Sequence, residues 1–204
     1  FSLDDLFTLE IMGGVSNGLH ELGYDMLVIQ VNPRDLDWPH HYLDSGRVDG
    51  FILLTTSRKQ PYIKSLVEMG APFVAWGVAS PNQNFSTVNG DNFSRGKQAT
   101  EHLISSGRKR IAFLGGPATM TEVQLRYRGY EAALQAAGMP VDPALGTYTE
   151  YCSSCGAAAM ESLLEQVPDL DAVFVNSDLN AIAAIEVIRR HVKRTPQDIG
   201  VVGY

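Results

Sequence analysis

Residues 86–117 read S-T-V-N-G-D-N-F-S-R-G-K-Q-A-T-E-H-L-I-S-S-G-R-K-R-I-A-F-L-G-G-P, and this stretch decides the fold. It predicts a short strand, a capped helix, a basic turn, a buried strand and a glycine turn. Asp91 or Asn92 can accept from the open amides at the helix start. Ala99, His102, Leu103 and Ser106 recur at helical spacing. Gly107 stops the helix, because a left-handed C-cap costs glycine least. Ile111-Ala112-Phe113-Leu114 is a run fit for a strand covered on both faces. Gly115-Gly116-Pro117 ends it where a ligand could approach the backbone. The segment reads as the start of the second half of a two-domain binding protein.

Working outward, the same alternation recurs. Leu6 to Leu22 has helical periodicity, with Gly23 as its stop. Tyr24–Val31 predicts a strand, Trp38–Leu43 a second helix, Phe51–Leu54 a buried strand, Tyr62–Met69 a helix and Pro72–Trp76 a strand. Beyond Pro117 come a helix over 121–137, a β-prone stretch Thr147–Tyr151, a helix Ala157–Val167, a strand Ala172–Val175, a helix Leu179–His191 and a strand Ile199–Val202. Strands alternating with helices imply an α/β fold with parallel sheets covered on both faces. In such sheets ligands bind beyond the carboxyl ends of the strands. That rule nominates Thr55, Trp76, the turn after Leu114, Tyr151 and Ser177-Asp178. These come from both halves, so the site is expected in a cleft between two lobes, residues 1–88 and 89–204.

Bulk properties narrow the function classes. The chain has 204 residues, 45% hydrophobic and 19% charged, an ordinary globular composition. Its net charge of −7 makes it a poor nucleic-acid binder by itself. Arg108-Lys109-Arg110 reads as a solvated basic loop. No apolar run approaches the ~20 residues of a membrane span, and no export signal is visible. Cys152 and Cys155 form C-S-S-C; with no second pair to complete a zinc site and no thioredoxin-like context, coincidence is the favoured reading, with a reducing, cytoplasmic compartment expected. The chain opens in or just before a helix and stops at a strand end, as a fragment would.

Four separated motifs, V-N-G-D-N, T-E-H-L-x-x-x-G-R-K-R-I-A-F-L-G-G-P, R-Y-R-G-Y-E-A-A-L-Q-A-A-G and D-I-G-V-V-G-Y, resemble the lactose-repressor (LacI) family of bacterial transcription regulators in order and spacing. The resemblance covers nearly the whole chain. It implies two Rossmann-like lobes of the periplasmic-binding-protein type I, a small polar effector such as a sugar, a homodimer, and operator DNA bound by a helix-turn-helix headpiece absent from this sequence. Carried over by position, the effector site would use Phe7, Thr8 and Ile11 on the opening helix, Arg126 before R-G-Y, Tyr151 as a stacking aromatic, and the pair Ser177-Asp178, whose first member is Asn in many relatives. Gly77 stands where the family often places an acidic residue, which leaves Trp76 as a wall. A solute receptor for sugar uptake with the same fold is the alternative.

Plainer roles compete with each assignment. Arg126 can pair with Glu122 at i−4. Tyr151 and Trp76 can be core aromatics, and Asp178 can cap a helix as well as accept from a ligand. Gly115-Gly116-Pro117 lacks the dinucleotide-binding glycine pattern. His40 and His41 are adjacent and point apart on a helix, so they suit exposed surface better than metal. No nucleophile elbow, metal cluster or phosphate loop argues for an enzyme, and no cofactor is called for.

Overall fold

A computed structural model describes residues 6–32, 35–54, 61–79 and 83–204. The chain divides into two units, residues 1–90 and 91–204. Each is an α/β unit built on its own parallel sheet, as the alternation predicts.

The first unit holds α1 (Leu6–Glu21), α2 (Trp38–Leu43), β1 (Phe51–Leu53), α3 (Pro61–Glu68), β2 (Phe73–Trp76) and β3 (Ser86–Val88). Its sheet runs β1-β2-β3, all parallel. Gly23, Gly46 and Gly70 close the three helices with positive φ, where a side chain would be strained. Trp38, Leu53, Ile63, Leu66 and Ala75 form the core. One expectation fails here. Tyr24–Val31 carries no ladder, because a strand exists only where a neighbour takes its amides and carbonyls, and the described sheet has only three members. Ile29 and Val31 still pack on the core. Thr55 lies outside the described residues.

The second unit contains α4 (Asn92–Ser105), β4 (Ile111–Gly115), α5 (Thr121–Ala136), a 3-10 turn at Pro143–Leu145, β5 (Gly146–Tyr148), α6 (Ser153–Gln166), β6 (Ala172–Val175), α7 (Asp178–Arg190) and β7 (Gly200–Val202). The parallel sheet has the order β5-β4-β6-β7. Its central strands explain their unbroken apolar runs. Ile111 and Phe113, with Ala172 and Phe174, pack on Leu103 of α4 and on Val123, Tyr130 and Leu134 of α5. Ala112 and Leu114, with Val173 and Val175, pack on Met160 and Leu163 of α6 and on Ala184, Val187 and Ile188 of α7. Successive residues face opposite sides and both sides are covered.

On α4 the buried stripe is Asn92, Gly96, Thr100 and Leu103, so His102 faces solvent. The stripe is polar and small because α5 comes very close. A Cβ on Gly96 would lie 2.5 Å from the Arg126 carbonyl oxygen, and one on Gly129 would lie 2.6 Å from the Lys97 amide nitrogen. The basic turn is no solvated loop either. Lys109 and Arg110 donate their backbone amides to the Asp171 carboxylate at 2.8 and 2.9 Å. The Arg110 guanidinium meets Asp142 at 3.0 Å and Asp169 at 3.4 Å. Arg108 donates to the carbonyls of Pro196, Gln197 and Asp198. These bonds join the amino-terminal ends of β4, β6 and β7.

Helix α6 begins at Ser153, four residues before the predicted Ala157. That early start makes Cys152 the N-cap and places Cys155 one turn on, their Cα atoms 5.2 Å apart, and the two are joined as a disulfide. Coincidence is therefore the wrong reading of C-S-S-C: helical i, i+3 spacing brings the sulfurs together.

Candidate functional site

Every strand of the second unit ends near one group of polar and aromatic residues. Gly116 follows β4, Tyr151 follows β5, Asn176 to Asp178 follow β6 and Tyr204 follows β7. Arg126 of α5 lies at the centre. Its Nε donates to Asn92 Oδ1 at 2.8 Å, and its Nη1 donates to the Asn176 carbonyl at 2.9 Å and to Asn176 Oδ1 at 2.8 Å. The guanidinium carbon lies 3.4 Å from the centre of the Tyr204 ring, a cation–π contact. The Tyr204 hydroxyl donates to the same Asn92 oxygen at 3.1 Å. Among the described residues no ion pair joins Arg126 to Glu122, so the surface-pair alternative gives way to a fork held by amides. Burial pushes the Arg126 guanidinium below its ordinary pKa, while the neighbouring Tyr204 and Tyr151 hydroxyls act in the opposite sense. An arginine keeps its charge throughout. The close approach at Gly96 and Gly129 is what brings Asn92, at the start of α4, within reach of the α5 side chain.

Tyr151 leans on Gly116: an added Cβ there would strike the phenol ring. What approaches the glycine turn in this structure is thus the protein's own aromatic, while Phe113 and Tyr148 occupy the space beside Gly115. Tyr151 is 38% exposed, which a core aromatic would not be. Desolvation raises its hydroxyl pKa, partly offset by the charge of Arg126. Ser177, not Asp178, caps α7, accepting from the Asn180 amide at 3.2 Å. Asp178 is then freed from capping; its carboxylate is exposed and rests against Gly203, where no side chain intervenes. In the first unit, Phe7 meets Trp76 edge to face with ring centres 6.0 Å apart. Phe7 is exposed, Thr8 is buried, and Ile11 lies one turn on, half-buried. Gly77, after Trp76, has φ +145 and donates to the Val88 carbonyl at 2.9 Å. An acidic residue would be strained at that φ.

Residues 2–204 match the family of periplasmic binding proteins and the sugar-binding domain of LacI regulators. The chain belongs to this family. Among its LacI-family relatives, the transcriptional regulator CelR of Thermobifida fusca is 43% identical over 165 residues, 80% of this chain and 48% of CelR. The repressor PurR of Haemophilus influenzae is 28% identical over 200 residues, 96% of this chain and 59% of PurR. A solved CelR–cellobiose complex superimposes with a TM-score of 0.87 at 38% identity, covering 98% of this chain and 62% of that one. This LacI-family chain therefore spans about half to three-fifths of the length of these relatives.

Within the second unit the structure brings Arg126 together with Asn92, Asn176 and Tyr204. Sequence reasoning gave Asn92 only a capping role and missed the other two. The signal was present, since Asn92 closes V-N-G-D-N, Tyr204 closes G-V-V-G-Y and Asn176 directly precedes Ser177. Among the described residues no group of three or more His, Cys, Asp or Glu could hold a metal ion. Chemically, the cluster offers a fixed guanidinium, an exposed carboxylate and an aromatic face. That set pairs with vicinal hydroxyls at the edge of a ring and with C–H groups on its face.

Proposed function

We propose that this chain is the effector-sensing part of a LacI-family transcription regulator, with a glucose-based disaccharide such as cellobiose as its effector. The observation that carries the reading is Arg126, half-buried and held by Asn92 at the start of α4 and Asn176 at the end of β6, beside the exposed Tyr151 and Asp178. In this reading Arg126 and Asp178 bond sugar hydroxyls and Tyr151 stacks on the ring. Phe7, Thr8, Ile11, Thr55 and Trp76 are the first unit's candidates, and Ser177 holds Asp178 in place by capping α7. The sugar would favour one arrangement of the protein over another and so change operator binding by a helix-turn-helix segment outside this sequence. The named relatives are regulators, which favours this reading over an uptake receptor or an enzyme. Calorimetry on the full-length protein tests it. Saturable binding of cellobiose, one per chain, is expected, and a null result with cellobiose alongside binding of a purine base would replace the sugar.

Dimerisation belongs to the same proposal. Trp38 takes no part in a pairing surface, being 4% exposed and set in the first unit's core. Ile182 and Ile185 on α7 are better placed, being 58% and 37% exposed one turn apart, and a two-fold pairing of such faces buries both. Sedimentation equilibrium is expected to give twice the chain mass, with Ile182→Asp shifting it toward one. A single-chain mass for the unmodified protein at every concentration removes the dimer.

A further inference from the structure

The C-S-S-C pair has no part in the sugar chemistry above, yet it adjoins Tyr151. Cys152 follows Tyr151 directly and caps α6, its Sγ accepting the Cys155 amide at 3.1 Å. The Ser154 hydroxyl lies 3.2 Å from the same sulfur. Both cysteines are half-exposed, so a small thiol can reach them. Residues 150–152 are also held by main-chain bonds, the Cys152 carbonyl accepting from the Gly156 amide at 2.9 Å. The Glu150 carbonyl accepts from the Cys152 amide at 3.0 Å and from Asn180 Nδ2 at 3.2 Å. Gly156 lets α6 approach Asn180, since a Cβ there would lie 2.9 Å from Asn180 Cα, Cβ and Oδ1. The disulfide is thus a covalent tie between the Tyr151 segment and the first turn of α6.

We propose that Cys152 and Cys155 form a thiol–disulfide exchange site, and that its redox state sets how firmly Tyr151 is presented to the effector. The coupling rests on the sugar-sensing reading; the exchange chemistry does not. A dithiol reductant supplies the electrons. Its thiolate attacks Cys155 Sγ, forming a mixed disulfide, and the electrons of the Cys152–Cys155 bond leave on Cys152 Sγ. That thiolate is a good leaving group because the Cys155 amide and the positive end of α6 face it. The reductant's second thiol then attacks its own sulfur in the mixed disulfide, closing a ring and releasing Cys155. Two protons pass from the reductant to the two cysteine sulfurs. Inside a reducing cell such disulfides are transient and redox-sensing, which suits a regulator. In the oxidised state Tyr151 is fixed before the ligand arrives, and a preorganised group costs less to order on binding.

The test uses the full-length protein, dithiothreitol buffers of graded redox ratio, maleimide labelling read by peptide mass, and cellobiose as the probe. Maleimide labelling of both cysteines after reduction, and its loss when the protein is reoxidised before labelling, is expected, together with cellobiose binding at least about fivefold weaker in the reduced protein, the lower end of ordinary coupling. Linkage requires cellobiose to oppose reduction by the same factor. Cys155→Ser keeps the capping sulfur and is expected to bind like the reduced form under all conditions. Hydrogen exchange at residues 149–157, without sugar, supplies a readout independent of ligand, and faster exchange after reduction is expected. Where cellobiose fails to bind in either state but this exchange responds, the sugar assignment falls and the redox site stands. Cysteines that stay unlabelled across the redox range overturn the site. Equal cellobiose affinity in both states overturns the coupling.

Discussion

Replacing Arg126 by alanine is expected to weaken cellobiose binding by about 1.5–3 kcal/mol, the worth of hydrogen bonds to a charged group. That is a loss of roughly 10- to 150-fold in affinity. The guanidinium is already oriented by Asn92 and Asn176, so the unmodified protein spends little ordering it when sugar arrives. Arg126→Lys is expected to recover little of the loss, because an ammonium on a flexible stem cannot reproduce the planar fork or its contact with Tyr204. Alanine also leaves the Asn176 oxygens without their donor, which adds a stability cost of about 1–3 kcal/mol for a buried acceptor. A thermal melt run beside the calorimetry separates the two effects. Unchanged affinity in a folded Arg126→Ala protein removes Arg126 from the site.

The second large effect belongs to Gly129, and here the loss is in folding. Alanine at this position is expected to destabilise the second unit by about 3 kcal/mol, the upper end of the overpacking range. The colliding atoms are the Phe93 carbonyl, the Lys97 amide and the Gly96 carbonyl carbon, all backbone in a helix that cannot rotate aside. Helix propensity alone would favour alanine by about 1 kcal/mol, so the sign of the measured change shows which influence prevails. Gly14 on α1 is the contrast. A Cβ there meets nothing within 4 Å, and Gly14→Ala is expected to stabilise by about 0.4–1 kcal/mol. Denaturant melts of both variants check the pair. A neutral Gly129→Ala would mean α4 and α5 do not touch along that line, and the Asn92–Arg126 bond would lose its structural basis.

Much of the fold was legible in the sequence because its signals are local. The run Ile111–Leu114 states its own double burial, and Gly23, Gly46, Gly70, Gly107 and Gly138 each end a helix with positive φ. What could not be read depends on partners distant in the chain. Tyr24–Val31 has strand chemistry, but pairing is decided by what lies beside it. Arg108-Lys109-Arg110 looks like a wet turn until Asp142, Asp169 and Asp171 arrive from 32 to 62 residues away. The start of α6 was misplaced because serine and cysteine are weak helix formers, and with that start went the pairing of Cys152 and Cys155. At the site, Arg126, Tyr151 and Asp178 were nominated by position, whereas Asn92 and Tyr204 sit in the quoted motifs and Asn176 beside Ser177 but show their part only through their contacts with Arg126.

The carboxylate of Asp171 takes the amides of Lys109 and Arg110, and its own carbonyl takes the amide of Gly200. One rim of the second unit's sheet is thereby riveted by a carboxylate and a carbonyl that take main-chain amides of neighbouring strand starts. The opposite rim is closed by side chains whose bonds a sugar hydroxyl can exchange for its own. In the proposed reading, a guest arriving there rewires one rim while the other serves as a fixed datum, so a slight local displacement within the second unit acquires a direction.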